Sequence, residues 1–154
     1  VLEMVVKISE NFNLDAFFVS AEYPEIARNM PVYLWQLANL WTLVNTVIQP
    51  VRNLLVEPVT VLSGIRTEGL NKLIGGEKLS DHLLGAACDI TSKKIQVNPL
   101  LIAHLIHDSG IKYRQIIAYP AKGFIHISIN VLQQAENKHQ FLVYKHGKYE
   151  TITT

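Results

Sequence analysis

The segment Phe124-Ile125-His126-Ile127-Ser128-Ile129 alternates without a break, and nothing else in the 154-residue chain constrains its fold so tightly. Successive side chains of a strand point to opposite faces, so Phe124, His126 and Ser128 share one side and the isoleucines share the other. The isoleucine face demands a core, and the opposite face carries a histidine. Such a strand belongs in a sheet covered on one side only. Further strands are predicted over residues 57–62, where Val59-Thr60-Val61 is β-branched and follows Pro58, and over residues 86–91 and 115–119. Residues 140–144 and 149–153, separated by Lys145 to Lys148, read as a terminal hairpin with a glycine-containing connection.

The helical signal lies mostly earlier in the chain. From residue 31 to 55, Leu34, Leu37, Ala38, Trp41, Val44, Ile48, Val51 and Leu55 recur at three- and four-residue steps, with Pro31 placed for a first turn. The spacing predicts a long amphipathic helix with Trp35 and Trp41 in the core. Pro50 removes a backbone donor inside it, so a kink or break is expected near Ile48. Shorter helices are predicted over residues 67–73, stopped by Gly75-Gly76, and over residues 98–108, closed by Gly110. No repeat or linker divides the chain, which reads as one domain over residues 1–154. Helices lead and strands follow, the order of an α+β fold.

Composition then removes several classes of function. The 14 Lys and Arg balance 13 Asp and Glu, and no basic cluster exceeds Lys93-Lys94, which argues against a nucleic-acid partner. Apolar runs break within about ten residues, short of the ~20 needed to cross a bilayer, so no transmembrane segment is expected. Residues 1–13 lack the basic start and apolar stretch of a secretory signal. Cys88 is the sole cysteine and has no partner within the chain, but a chain of this length buries about 68–70% of its unfolded surface and forms a core without disulfides.

Chemistry concentrates around two segments. Ser80 to Asp89 holds His82 and Asp89 seven residues apart, separated partly by the small Gly85, Ala86 and Ala87, and His126 stands on the alternating strand. Two imidazoles and a carboxylate are the ligand set of a catalytic zinc site, whose fourth position goes to a water acidified from pKa 15.7 towards about 7. Spacing alone does not single this set out: a solvent-side histidine on a half-buried strand explains His126 equally. His104, His107, His139 and His146 read as structural, the first two one helical turn apart. Cys88 adjoins Asp89, but alternation turns it away, and it reads as a small apolar residue.

Taken in order, the motifs are more specific than any one of them. Ser80-x-His82-x-x-Gly85-x-Ala87-x-Asp89, preceded by Ser63-Gly64-Ile65-Arg66 and Leu70-Asn71-x-x-Ile74-Gly75-Gly76 and followed by Phe124-Ile125-His126-Ile127-Ser128, resembles the D-Ala-D-Ala carboxypeptidase family of zinc metallopeptidases. Asn11-Phe12 and Ile48-Gln49-Pro50-Val51-Arg52 look like further landmarks of that family, so the resemblance covers most of the chain. Its members cut peptide bonds involving D-amino acids, or the cross-linked stem peptides of bacterial peptidoglycan, as carboxypeptidases, dipeptidases or phage-borne endolysins. The resemblance implies a small α+β domain whose N-terminal helices pack on a central antiparallel sheet carrying zinc. It makes His82, Asp89 and His126 the metal ligands and a peptidoglycan stem peptide the partner. Arg66 would hold the substrate carbonyl and stabilise the oxyanion, a role suited to a fixed guanidinium; read alone, it fits a surface ion pair with Glu68. Ser80 would orient the loop or supply a supporting hydrogen bond. Periplasm, cell wall or phage particle is the expected location, from the substrate class.

One departure matters as much as the match. Active relatives carry a glutamate a few residues before the last histidine as general base, whereas residues 115–126 contain no carboxylate. Tyr119 stands nearest that place, and a phenol of pKa near 10 is a poor base at neutral pH, though it can hydrogen-bond an oxyanion. Asp81, Glu77, Glu68 and Glu150 occupy no motif position. Two expectations follow. One is a zinc-dependent peptidase with an unidentified proton acceptor. The other is a catalytically impaired wall-binding or structural protein of a phage particle that keeps fold and metal, with Phe17, Phe18, Tyr23 and Tyr33 offering an assembly contact.

Overall fold

The alternating segment becomes Phe124–Ser128 (β4), near the middle of a six-stranded sheet in the order β1-β2-β4-β3-β5-β6. Its other strands are Thr60–Ser63 (β1), Ala87–Thr91 (β2), Gln115–Tyr119 (β3), Gln140–Lys145 (β5) and Lys148–Thr151 (β6). This computed structural model describes residues 5–154. The α+β class is as expected, and the pairs β1–β2, β2–β4 and β4–β3 are antiparallel. The sheet as a whole is mixed, because β5 lies parallel to β3. Both edges of β4 are taken by β2 and β3, so the chain leaving β4 adds its next strand to the free edge of β3.

Register sorts the faces. Asp89 pairs with His126, His126 with Ile117 and Ile117 with Leu142, so these four share one face. The opposite face presents Cys88, Ile90, Ile116, Ala118, Ile125 and Ile127, all buried, to the helices. Burial of that apolar surface, at roughly 25 cal/mol per Å², is the main stabilising term of the fold. It also leaves the other face free to carry a site.

The covering layer includes Leu34–Leu43 (α2), a π-helical turn Val44–Ile48, and Gln49–Leu55 (α3), which form one continuous helix. Pro50 neither breaks nor ends it. Its missing N–H and the crowding of its ring are absorbed by the wider π turn, a known adjustment to lost i→i−4 bonds. The expected face holds over Val44, Ile48, Val51 and Leu55, all buried, but is misphased before the π turn. Gln36, Leu40, Leu43, Val44, Val47 and Ile48 turn inward, while Trp35 and Trp41 stay 38% and 54% exposed, so the core placement of both tryptophans is wrong. No charge falls between residues 31 and 51 to mark the wet side, and apolar residues on both sides blur the period.

Pro24–Asn29 (α1) and Lys93–Val97 (α5) were not anticipated; both are too short to show a period. Glu68–Leu73 (α4) and Pro99–Asp108 (α6) start where side chains accept from their first turns: Thr67 Oγ1 from Leu70 N–H and Asn98 Oδ1 from Leu101 N–H. The N-terminal segment is tied to α3 through Gln49, which accepts from Ser9 Oγ at 2.7 Å and donates to Asn11 Oδ1 at 2.8 Å. Among the four aromatics proposed for an assembly contact, Phe17 is fully buried, Phe18 and Tyr23 pack beside Ile65 and Leu70, and Tyr33 alone stands exposed. No described helix is long and apolar enough to cross a membrane.

Candidate metal centre

Asp89 on β2 and His126 on β4 face each other across the sheet, and a 3₁₀ turn, Asp81–Leu84, drops His82 onto them. Three atoms converge. His126 Nδ1 lies 2.8 Å from Asp89 Oδ1, and His82 Nε2 lies 3.3 Å from each of them. Donors about 2.0–2.1 Å from a tetrahedral zinc sit about 3.3–3.4 Å from one another, so two edges of this triangle already have the right length. The third is shorter because an imidazole–carboxylate hydrogen bond spans it. The donor set and spacing therefore fit zinc.

The state of His82 is fixed by its back side. Its Nδ1 lies 2.7 Å from Gly64 O, and a carbonyl only accepts, so Nδ1 carries the proton and Nε2 keeps its lone pair. Burial lowers the pKa of His82, more than Asp89 raises it, so the ring stays neutral as a ligand must. For Asp89, burial favours protonation, but the two imidazoles beside it outweigh that and hold the carboxyl well below its usual range.

Close packing holds the turn in place. Gln36 on α2 donates through Nε2 to Leu83 O at 2.7 Å, and Asn39 donates through Nδ2 to Leu84 O at 2.9 Å. Gly85 closes the turn at φ +67°, and a Cβ there would stand 2.3 Å from Gln36 O. Gly64 lies as close to the backbone of Phe17, where a Cβ would meet its carbonyl oxygen at 2.3 Å. Ser80 Oγ accepts from His82 N–H at 3.3 Å and so caps the turn.

Arg66 also faces the metal side. Ser63 Oγ accepts from its Nε and Nη2 at 3.2 and 3.0 Å, and Asn71 Oδ1 from its Nη1 at 3.3 Å. Its ion pair is with Asp89, at 3.8 Å, rather than with Glu68. Three of its five N–H groups are thus engaged, and two remain for a substrate oxygen. Asn71 is itself buried and donates to Glu77 O, and Gly76 leaves room for it: a Cβ at Gly76 would meet Asn71 Oδ1 at 2.1 Å.

These groups open into a cleft of about 800 Å³ that runs from residues 74–82 across the metal triad to Tyr149. Tyr119 lines it, on the same face as His126, stacked on Phe124 at 4.3 Å with its hydroxyl 3.4 Å from that of Tyr149. Burial first, and the Tyr149 contact second, push its ionisation up, which makes it a neutral donor and no base. Among the described residues the carboxylates lining the cleft are Glu77, Asp81 and Asp89. Asp81 accepts from Gln134 Nε2 at 2.9 Å and lies 3.7 Å from Arg114 Nε. Glu68 and Glu150 do not line it.

Sequence reasoning assigned no role to Gln36, Asn39, Ser63 or Asn71. The signal for the first two was an amide on an apolar helix; the others stood inside the quoted motifs without a function.

The sequence pattern of peptidase M15 matches residues 25–128, which include His82, Asp89, His126, Arg66 and Tyr119. The comparison with curated proteins returns no match. Spanning most of the chain, the match places this protein in the M15 peptidases, the zinc-dependent peptidase family that its motifs resemble.

Proposed function

We propose that this M15 family member is a zinc-dependent peptidase-like domain acting on D-amino-acid-containing stem peptides of peptidoglycan. The observation that carries the reading is the convergence of His82 Nε2, Asp89 Oδ1 and His126 Nδ1 within 3.3 Å of one another, with Arg66 beside them. Zinc bound there supplies Lewis acidity and makes water a nucleophile near neutral pH. The chain supplies the rest. Gly64 O orients the His82 imidazole. Arg66, braced by Ser63 and Asn71, directs its two remaining N–H groups to the scissile carbonyl, where a preorganised donor stabilises developing negative charge by about 3–4 kcal/mol. Tyr119, neutral and partly buried, donates a hydrogen bond to substrate.

A second reading has its own support. The metal face of β3 offers Gln115, Ile117 and Tyr119, and no carboxylate, where relatives place a base. On that reading the chain binds zinc and wall peptide without turnover, as a wall-binding component of a phage particle.

Zinc content and turnover of isolated peptidoglycan, measured for the native protein and for His126→Ala, test both. One zinc per chain with cleavage that disappears in the variant is the expected result. Zinc without cleavage establishes the binding protein instead, and a native chain that takes up no zinc removes both readings.

A further inference from the structure

The cleft does not end at the metal triad. It continues over β3 and β5 to Tyr149 on the edge strand β6, and both β5 and β6 lie outside the residues matched to the family. Register fixes which side chains face it, and they fall into three rows running across the strands. One row is amide: Gln115 Nε2 donates to Gln140 Oε1 at 2.8 Å, leaving an acceptor on Gln115 and donors on Gln140. The middle row is aliphatic, Ile117 and Leu142. The last is aromatic, with Tyr119, Tyr144 and Tyr149 at ring separations of 5.4 and 4.9 Å.

Neighbouring strands lie about 4.8 Å apart, so this floor extends about 14 Å past the strand of His126. An extended chain advances about 3.3–3.4 Å per residue, which makes that length equal to about four residues. The far end is open, since β6 is an edge strand and Tyr149 is 59% exposed. Beside the amide row Arg114 lies 3.7 Å from Asp81 and Lys138 3.1 Å from Glu136, and Lys122 lines the tyrosine end of the cleft.

The geometry points to an extended substrate subsite on β3, β5 and β6, holding about four peptide residues on one side of the reacting bond. Peptide C=O and N–H groups bond along the amide row, and side chains pack over Ile117 and Leu142 against the tyrosines. The substrate class is thus a long or cross-linked peptide engaged at an internal bond, in place of a terminal dipeptide. This inference rests on the peptidase reading and sharpens it.

The test uses zinc-loaded protein and unmodified stem peptides of two to six residues, with dissociation constants read by stopped-flow competition against a fluorescent six-residue peptide before turnover. Affinity is expected to rise about tenfold or more from the shortest to the longest. Tyr149→Ala, on an exposed edge position that does not disturb the core, is expected to remove most of that gain at unchanged Tm. A two-residue peptide binding as tightly as six, or a length dependence untouched by Tyr149→Ala, overturns the subsite while leaving the peptidase reading standing. Failure of every peptide to bind overturns both.

Discussion

The two ends of the cleft are built differently. Around His82, Asp89 and Arg66 the chain spends buried amides, two glycines in backbone contact and a carbonyl on holding a few atoms within 4 Å of one another. Over β5 and β6 the same face is a row of tyrosines and amides on a progressively exposed hairpin, where strand pairing alone sets the geometry. The first end lies within the family match and the second lies beyond it. A site whose ligand distances must be correct to a few tenths of an ångström needs support from several elements, whereas a surface that binds a chain by its length does not.

The strongest way to break this contrast is at the metal. His82→Ala removes a ligand, and zinc affinity is expected to fall by more than the about 10–100-fold typical of losing an outer-sphere partner. Leu142→Ala, on the same face but over β5, is expected to leave zinc affinity unchanged. Competition with a chromophoric chelator measures both, and equal losses would mean that the metal site is not confined to the triad.

Next in size is Tyr119→Glu, which places a carboxylate where the metal face of β3 has none. A positioned general base contributes about 10²–10⁴-fold, so turnover of peptidoglycan is expected to rise by that order. A gain from no activity identifies the native chain as a binder that has lost its base. An already active native protein that the change leaves unaltered shows that the proton acceptor lies elsewhere, with Glu77 the remaining cleft carboxylate outside the triad and the Arg114 pair.

How much of this was legible in the sequence follows the same division. Strand alternation at Phe124 to Ile129 set the face of His126, because period-2 patterning is a local property, whereas grouping it with His82 and Asp89 came from the family resemblance and not from spacing. The sheet order was not legible: that β4 enters between β2 and β3, and that β5 then runs parallel to β3, depends on which edges remain free once the chain is folded. The helix from residue 34 to 55 was readable in extent and, from Val44 on, in phase, but not in its first half, since Trp41 and Leu34 obey the apolar period as well as Leu40 and Leu43 do, and burial selects between them only through the sheet. Gln36 is the clearest case. As a polar residue in an apolar run it looks like solvent-facing punctuation, yet it is buried because Leu83 O needs a donor.

A smaller effect separates close approach from backbone strain. Gly85 and Gly147 both have positive φ, +67° and +77°, but a Cβ on Gly85 meets Gln36 O at 2.3 Å and one on Gly147 meets nothing. Gly147→Ala is expected to cost about 1–2 kcal/mol of stability, the usual left-handed penalty. Gly85→Ala is expected to add about 1–3 kcal/mol for overpacking and to weaken zinc binding with it. Chemical denaturation of the two variants measures the difference. Equal losses would mean that α2 does not clamp the metal turn.

The smallest effect lies at the tyrosine end and depends on pH. Removing the Tyr149 hydroxyl, a 3.4 Å contact on an exposed strand, is expected to change stability at neutral pH by less than about 0.5 kcal/mol. Tyr119 behaves differently, because burial raises its ionisation above the value near 10 of an unfolded tyrosine. A group whose folded pKa exceeds its unfolded one contributes its full stabilisation below the unfolded value and loses it as pH climbs above that point. Stability of the native protein is therefore expected to decline above about pH 10, Tyr119→Phe to reduce that decline without abolishing it, since burial also raises Tyr113, and Tyr149→Phe to leave most of it. Denaturation midpoints taken at about one-unit pH steps from about pH 8 to about pH 11 measure all three. An unaltered alkaline slope in Tyr119→Phe would show that this phenol is as wet as Tyr149, and the aromatic row would then be a loose surface without a buried anchor beside the metal.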